Sequence, residues 1–513
     1  MPNIPFEMPI LLGMTSDECT RFQLSSLGEL RPLIESFAGS CLDPAFQTSD
    51  TKPAEHFASN PALFTTGGSW PRDVWAESGL GATIDASVVE TGAPLPLIDL
   101  CSILTVLGIN DPWVKLKQTA YLLSSNPHHV TIRLGCDMYY RVARRILRCF
   151  YKFGEPGDFV INLRQCNGSD AVELAIHAAW KAAVKSPARR KLATFRGSYH
   201  GENLTASLVS DHQPRHGSGR LLLESADNVV FFPSPECGDG GYLTTEALAT
   251  LSILERDGDL YFAVIVEPIQ WRNSVHTVPF EFLRRLRDVC TRKSICLIFD
   301  EIHNAFGYTG TISYAENCGV CPDISAISKG LTSGHGSLAI MVAKKAFKEI
   351  EGTFSGKSNA ADMLSFVAVD AVLDRLLGMD PEEAKALPAW LPSGMVTELH
   401  TGLLTTAYPR AVAMIDELFA ELRRRFPSLI GASKGMGLVR GLVMLGTDGQ
   451  PSDRLAAEAA KMCLIHGVYV RQTDTALFIK PCMVLSQTEV DAALLGLSRT
   501  FEDVLRIRDE TKQ

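Results

Sequence analysis

From Asp158 onward the chain alternates two patterns. Short apolar runs (DFVINLRQ, KLATF, NVVFFP, YFAVIVEP, SICLIFDE, DISAI and LAIMVA) are separated by segments with apolar residues at helical spacing, such as DAVELAIHAAWKAAVK and PFEFLRRLRDVCTRK. Apolar, β-branched runs of about four to eight residues predict buried strands. Strands alternating with helices of this length predict an α/β fold, a mostly parallel sheet covered on both faces. Just upstream, CDMYYRVARRILRCFYKFG predicts an amphipathic helix with Arg141, Arg144, Arg145 and Arg148 on its outer surface. Residues 1–85 are poorly periodic and rich in Ser, Thr, Pro and Gly, and read as an N-terminal arm; LSSLGELRPLIESFAG is its best helix. From 86 to about 130 turns alternate with short apolar runs. Past the acidic, Pro-containing GMDPEEAKALPAWLPSG, a helix (AVAMIDELFAELRRRF) and short strands (GLVRGLVML, VYVRQ, ALFIKP) predict a smaller α+β C-terminal domain.

Composition narrows the class. At 513 residues the chain is too long for one simple core. With 46% hydrophobic and 21% charged residues it reads as an ordinary soluble globular protein. A formal charge of −9 argues against a nucleic-acid partner. The most apolar stretch, LPLIDLCSILTVLGI, is broken by Asp99 and falls short of the roughly 18 residues a membrane span needs, so no membrane partner is expected. The 13 cysteines are odd in number and follow no framework spacing, which fits a reducing cytoplasm.

Candidate chemistry collects just after the predicted strands. SICLIFDE ends in Asp300 and Glu301, and DISAI runs into Ser328-Lys329-Gly330. Parallel strand ends face one crevice in such a sheet. A lysine and an acid there suit pyridoxal 5'-phosphate: the lysine forms a Schiff base and the acid keeps the ring nitrogen protonated. Asn167-Gly168-Ser169-Asp170 opens a helix after DFVINLRQ; its backbone amides suit a phosphate, and plain helix capping is the alternative. Tyr199-His200-Gly201 follows KLATF, where an aromatic ring stacks on a flat cofactor or merely fills a turn. Glu267, at the end of YFAVIVEP, orients a neighbouring group or caps a helix. Thr353-Phe354-Ser355-Gly356, after the predicted helix KKAFKEIEG, offers hydroxyls to a phosphate. GTFSGKS at 352–358 is not a P-loop, since it has three residues between its glycines and follows a helical pattern. Cys318 and Cys321 lack a matching second pair and read as structural, so no metal site is expected. Gly435-Met436-Gly437 precedes a strand and is not a dinucleotide fingerprint.

Together these segments resemble the class III aminotransferases, pyridoxal-phosphate enzymes of fold type I, over roughly residues 90–500. NGSDAVELA, SYHG, VEPIQ, IFDEIHNAFGYTG and PDISAISKG carry the likeness. The resemblance implies a large domain at 131–385 built on a seven-stranded type of sheet. It also implies a small domain formed from 86–130 and 386–513. It places Asp300 on the ring nitrogen, Ile302 under the ring, His303 near the ring hydroxyl and Lys329 as the Schiff-base lysine. Gly168, Ser169, Tyr199, His200 and Glu267 complete the cofactor site. Thr353 corresponds to the threonine that reaches the neighbouring subunit's phosphate, which implies a homodimer with shared sites.

The chain departs from the family at several positions. His303 stands where Gln is usual and Tyr308 where Arg is usual. Trp271-Arg272-Asn273 replaces glycines. Phe478 stands where many members have the arginine that binds the substrate carboxylate, with Lys480 beside Pro481. Trp271, Arg272, Arg440 and Lys480 are therefore candidate substrate residues. The implied reaction moves an amino group from an amine or amino acid to a keto acid or aldehyde. Alternatives on the same scaffold are an aminomutase of the glutamate-1-semialdehyde type, a decarboxylase or racemase, and a non-catalytic cofactor-binding protein.

Overall fold

The computed structural model describes residues 74–510, apart from 89–90, 125, 130–134, 156, 184–185, 212–227, 351–355, 359 and 361. The arm helix expected in LSSLGELRPLIESFAG and Thr353 both lie outside the described residues. A seven-stranded sheet runs Phe159–Gln165, Ala339–Lys344, Ile324–Ile327, Cys296–Asp300, Tyr261–Val266, Lys191–Phe195, Val229–Phe232 from edge to edge. Both ladders of Ala339–Lys344 are antiparallel and the other four are parallel, so six strands share one direction. The fold is the α/β arrangement the alternating pattern predicts.

The side-chain period of two divides the central strands between two cores. Cys296 and Ile298 face the helix Gly168–Ala183, whose Ala171, Ala175 and Ala179 let it lie close to the sheet. Leu297 and Phe299 face the opposite core, with Phe282 and Leu286 of the helix Phe280–Lys293. KKAFKEIEG differs from expectation: Lys345–Ile350 forms a 3-10 turn instead of an α-helix.

Two four-stranded sheets and a two-stranded one, Ile269–Gln270 with His276–Thr277, complete the sheets of the described residues. In one, Val74–Leu80, Thr83–Val88 and Leu97–Asp99 are joined by Val468–Tyr469, which pairs in parallel with Leu97–Asp99. Residues from the expected arm therefore enter a sheet shared with the C-terminal part. The other four-stranded sheet runs Ile430–Met436, Val439–Met444, Ala476–Ile479, Arg471–Thr473.

The surface position expected for Arg141 and Arg145 does not hold. Both turn from the helix Asp137–Phe150 onto Asp370 and Asp374 of the helix Met363–Leu377, and Lys117 joins them from Pro112–Leu122. Arg141 Nε lies 2.7 Å from Asp370, and Arg145 Nη1 lies 2.7 Å from Asp374. Trp113 Nε1 donates to Asp374 at 3.1 Å. Spacings of four residues (141 and 145, 370 and 374, 113 and 117) bring like groups onto one helix face. Burial alone would raise the Asp370 carboxyl, but Lys117, Arg145 and Arg141 outweigh it and hold it far below the usual range.

Asp370→Asn leaves these cations short of a partner inside the protein. It is expected to cost about 3–5 kcal/mol, the range for breaking a buried pair, read as a lower urea midpoint. Because the folded carboxyl is depressed, its contribution is present above the ordinary aspartate pKa of about 3.9. That contribution is lost as the pH falls toward the folded value. A variant whose midpoint matched the parent chain at neutral pH would refute this account.

Candidate active site

The predicted residues meet at the carboxyl ends of the parallel strands. Asp300 ends its strand; Glu267 follows Val266; Tyr199 and His200 follow Phe195; Lys329 follows Ile327. Asp300 is buried and doubly tied: His200 Nδ1 lies 2.8 Å from Oδ2, and the Ile302 N–H donates to Oδ1 at 3.1 Å. His200 is itself fixed by its backbone N–H on Ser210 Oγ at 2.8 Å. Glu267 is also buried and accepts from the backbone N–H groups of Tyr199 at 3.1 Å and Trp271 at 3.3 Å. Burial, and then the charge of Asp300, push the Glu267 carboxyl well above its ordinary range.

Lys329 opens a 3-10 turn with φ of +46°, a left-handed conformation for a non-glycine residue. Such backbone costs roughly 1–3 kcal/mol and persists where surrounding structure enforces it. Burial pushes its amine down, against the pull of Asp300 and Glu267, to about 8. Its Nζ contacts His303 Nε2. The His303 ring stacks on Trp271 at 5.0 Å and 30°, with Phe478 edge-on at 6.0 Å. Arg272 lies over the rings of Trp271 at 4.4 Å and Tyr199 at 5.3 Å.

Ser169 and Gly168 begin the helix Gly168–Ala183 beside this cluster. Gly201 has φ of +117°, and a Cβ there would meet Ser169 Oγ at 2.2 Å; one on Gly168 would meet Ile302 Cδ1 at 2.7 Å. Both glycines thus keep side chains clear of the helix start. Asn167 Oδ1 caps the Asp170 N–H at 3.0 Å, so the capping alternative is realised for that amide.

Not every substrate candidate joins the cluster. Arg440 pairs with Asp416 and lies 5.9 Å from the Phe419 ring. It is opposite Ile479 in the sheet, whereas Phe478 is opposite Gly441, so Arg440 points to the other face. Lys480 is fully buried; its Nζ donates to the Ile103 carbonyl at 2.9 Å and sits 3.5 Å over the Tyr308 ring. Burial, and then the charge of Lys329, push this amine well down.

Arg471 is the residue the sequence reading missed. The hairpin turning at Asp474-Thr475 pairs Arg471 with Phe478, so both project to one face. Arg471 is exposed, and its charge reaches Lys329, His303 and Arg272. Among the described residues no carboxylate lies within ion-pairing distance of it. Its signal was the two-residue turn in VYVRQTDTALF, which sets the register.

The donor set fits pyridoxal phosphate. A lysine amine and a tethered acid share one crevice, a glycine-walled helix start lies beside them, and buried Arg272 Nε, Trp271 Nε1 and His303 Nδ1 have no partner among the described residues. Fold and site define a fold type I pyridoxal-phosphate enzyme. Residues 103–386 match the family described as Aminotransferase class-III. The chain is 27% identical over 366 residues to an adenosylmethionine-8-amino-7-oxononanoate aminotransferase of Geobacter sulfurreducens, covering 66% of this chain and 74% of that protein. It is 28% identical over 380 residues to an acetylornithine aminotransferase of Thermosynechococcus vestitus, covering 73% and 81%. Among solved structures, the taurine:2-oxoglutarate aminotransferase of Bifidobacterium kashiwanohense, in complex with PLP and glutamate, superposes with a TM-score of 0.71 at 18% identity, covering 89% and 99%. The chain belongs to the class-III aminotransferase family and is a pyridoxal-phosphate-dependent transaminase of small amines and keto acids. Among the described residues no helix is long and apolar enough to cross a membrane.

Acylation of Lys329 in the cofactor-free chain should follow a midpoint near 8, instead of the ordinary value of about 10.4. Asp300 favours the ammonium form, so Asp300→Asn should move the midpoint further down. Peptide mass spectrometry across a pH series reads both, and a midpoint near the ordinary lysine value would contradict the burial argument.

Proposed function

We propose that Lys329 would hold the cofactor through its amine and would serve as the base that moves a proton at the substrate carbon. The observation that carries this reading is the placement of Lys329 just past one parallel strand while Asp300, tied to His200, ends the strand beside it. An amine lowered to about 8 has a larger neutral fraction at neutral pH than an ordinary lysine, which favours a general base. Pyridoxal phosphate, when bound, supplies an electron sink. Asp300, oriented by His200, sustains that sink by pairing with a protonated ring nitrogen. Tyr199 and Ile302 would pack against the ring, and the amides at Gly168 and Ser169, with the Ser169 hydroxyl, would hold the phosphate. By the family resemblance the working unit is a homodimer with shared sites. The free thiols of the described cysteines support a cytoplasmic setting.

For the substrate we propose that Arg471, not Arg440 or Lys480, receives the acid group. A guanidinium offers a planar fork that a buried, already bonded lysine cannot. Trp271 and Arg272 wall the same entrance. Displacement of the anchor from position 478 to 471 favours donors whose acid group is remote from the amine. A related acetylornithine aminotransferase is consistent with a donor of this kind.

Two outcomes test the reading. Lys329→Ala should lose the cofactor absorption of the resting enzyme and its turnover, and Asp300→Asn should slow the half-reaction by more than about tenfold, or roughly 1.4 kcal/mol. A donor panel with a fixed keto acid, followed spectrally one half-reaction at a time, measures this; wild-type turnover in Lys329→Ala would end the assignment.

Arg471→Gln should raise the KM for a keto acid roughly 10- to 100-fold, the loss expected for a charge-assisted hydrogen bond of about 1.5–3 kcal/mol. Simple amines without an acid should be little affected. Equal losses for acid-bearing and acid-free donors would instead mean that Arg471 shapes the site without binding the acid.

A further inference from the structure

His303 is an ionisable residue where this family usually has an amide, and its surroundings are unlike those of a spacer. It lies three residues past Asp300, is 4% exposed, and is held between Trp271 and Phe478. Nε2 contacts the Lys329 amine, while Nδ1 is buried without a partner among the described residues. When Lys329 is an ammonium it donates to Nε2, so the ring proton must sit on Nδ1. That leaves a buried N–H donor unsatisfied by the described residues. A buried donor without an acceptor is costly, so the arrangement calls for an acceptor carried in by a ligand.

We propose that His303 is a proton relay acting through Lys329, passing a proton between the lysine amine at Nε2 and an anionic oxygen of the bound ligand at Nδ1. This rests on the reading of Lys329 as the lysine that moves the proton. The transfer balances without a net charge on the ring. Nε2 takes a proton from the Lys329 ammonium as Nδ1 gives its proton to the ligand oxygen, and the reverse shift restores both. No electrons change hands. The concerted form matters because Lys329, Lys480, Arg471 and Arg272 all bear on the ring and, together with burial, oppose an imidazolium. Asp300 and Glu267 act on the lysine end of the pair. A ring that stays neutral while its tautomer flips is compatible with this cationic setting; a ring that stores a proton is not.

Three variants test the relay. In the cofactor-free chain, His303→Phe removes the acceptor for the ammonium and should lower the acylation midpoint of Lys329, while His303→Gln should restore it toward the parent value. In the holoenzyme, His303→Gln keeps a hydrogen-bonding group but cannot relay. It should slow the amine half-reaction at least about tenfold, leave donor KM within about threefold, and change the shape of the pH–rate profile. Lys329→Ala separates the two readings: if it remained active, the base assignment itself would be lost. If Lys329→Ala is inactive yet His303→Gln matches the parent in rate and pH profile, the relay alone is overturned. A His303→Gln loss confined to KM would equally overturn it, showing His303 to be only a wall of the site.

Discussion

The structure depends on holding the half-buried Lys329 amine beside two carboxylates. Burying a charge is expensive unless it is paired, and here the pairing is deliberately incomplete. Asp300 and Glu267 act on the amine, but each carboxylate is already engaged: Asp300 by His200 and the Ile302 N–H, Glu267 by the Tyr199 and Trp271 N–H groups. The acids therefore sustain the lysine without locking it in a salt bridge. Desolvation then wins over their attraction, which leaves the amine lower than an exposed lysine. The parallel sheet makes this possible, because it delivers side chains from separate strands to one edge while its flanking cores exclude water.

The small sheets complete that edge through specific ties. Thr473 Oγ1 donates to the Trp271 carbonyl at 2.5 Å, and Ser274 Oγ lies 2.8 Å from both Asp474 and Thr475. The loop that replaces the family's glycines is thus bolted to the hairpin carrying Arg471 and Phe478. Lys480 adds a second tie, its N–H donating to the Leu100 carbonyl at 2.7 Å and its amine to Ile103. A shift of the hairpin would move Phe478 off His303 and alter the surroundings of the lysine at the same time. These few hydrogen bonds tie the hairpin of Arg471 and Phe478 to the surroundings of Lys329.

Much of this was legible in the chain. Asp300, Lys329, Glu267, His200 and the helix start at Gly168 are read from strand ends, where periodicity, β-branched runs and abrupt polar residues agree. What escaped depended on partners distant in sequence. Arg141 and Arg145 look like surface charges on an amphipathic helix, because nothing local announces that Asp370 and Asp374 will face them. The 3-10 turn at Lys345–Ile350 was read as a helix because KKAFKEIEG has helical composition; six residues of mixed charge give little to choose between the two.

The carboxylate question shows the limit most sharply. Lys480 is two residues from Phe478, and Arg471 seven, so proximity along the chain favours the lysine. Sheet register reverses the choice. Arg471 sits directly across from Phe478, and a single step along the neighbouring strand sends Arg440 to the opposite face. Lys480 lies beyond the strand Ala476–Ile479 and turns its amine into the Ile103 carbonyl. A cation is useful to a substrate only where its hydrogen-bonding capacity is unspent, and Lys480 spends part of its capacity on the backbone in a fully buried place. The guanidinium of Arg471, across the ladder from Phe478, is exposed and has no carboxylate partner among the described residues.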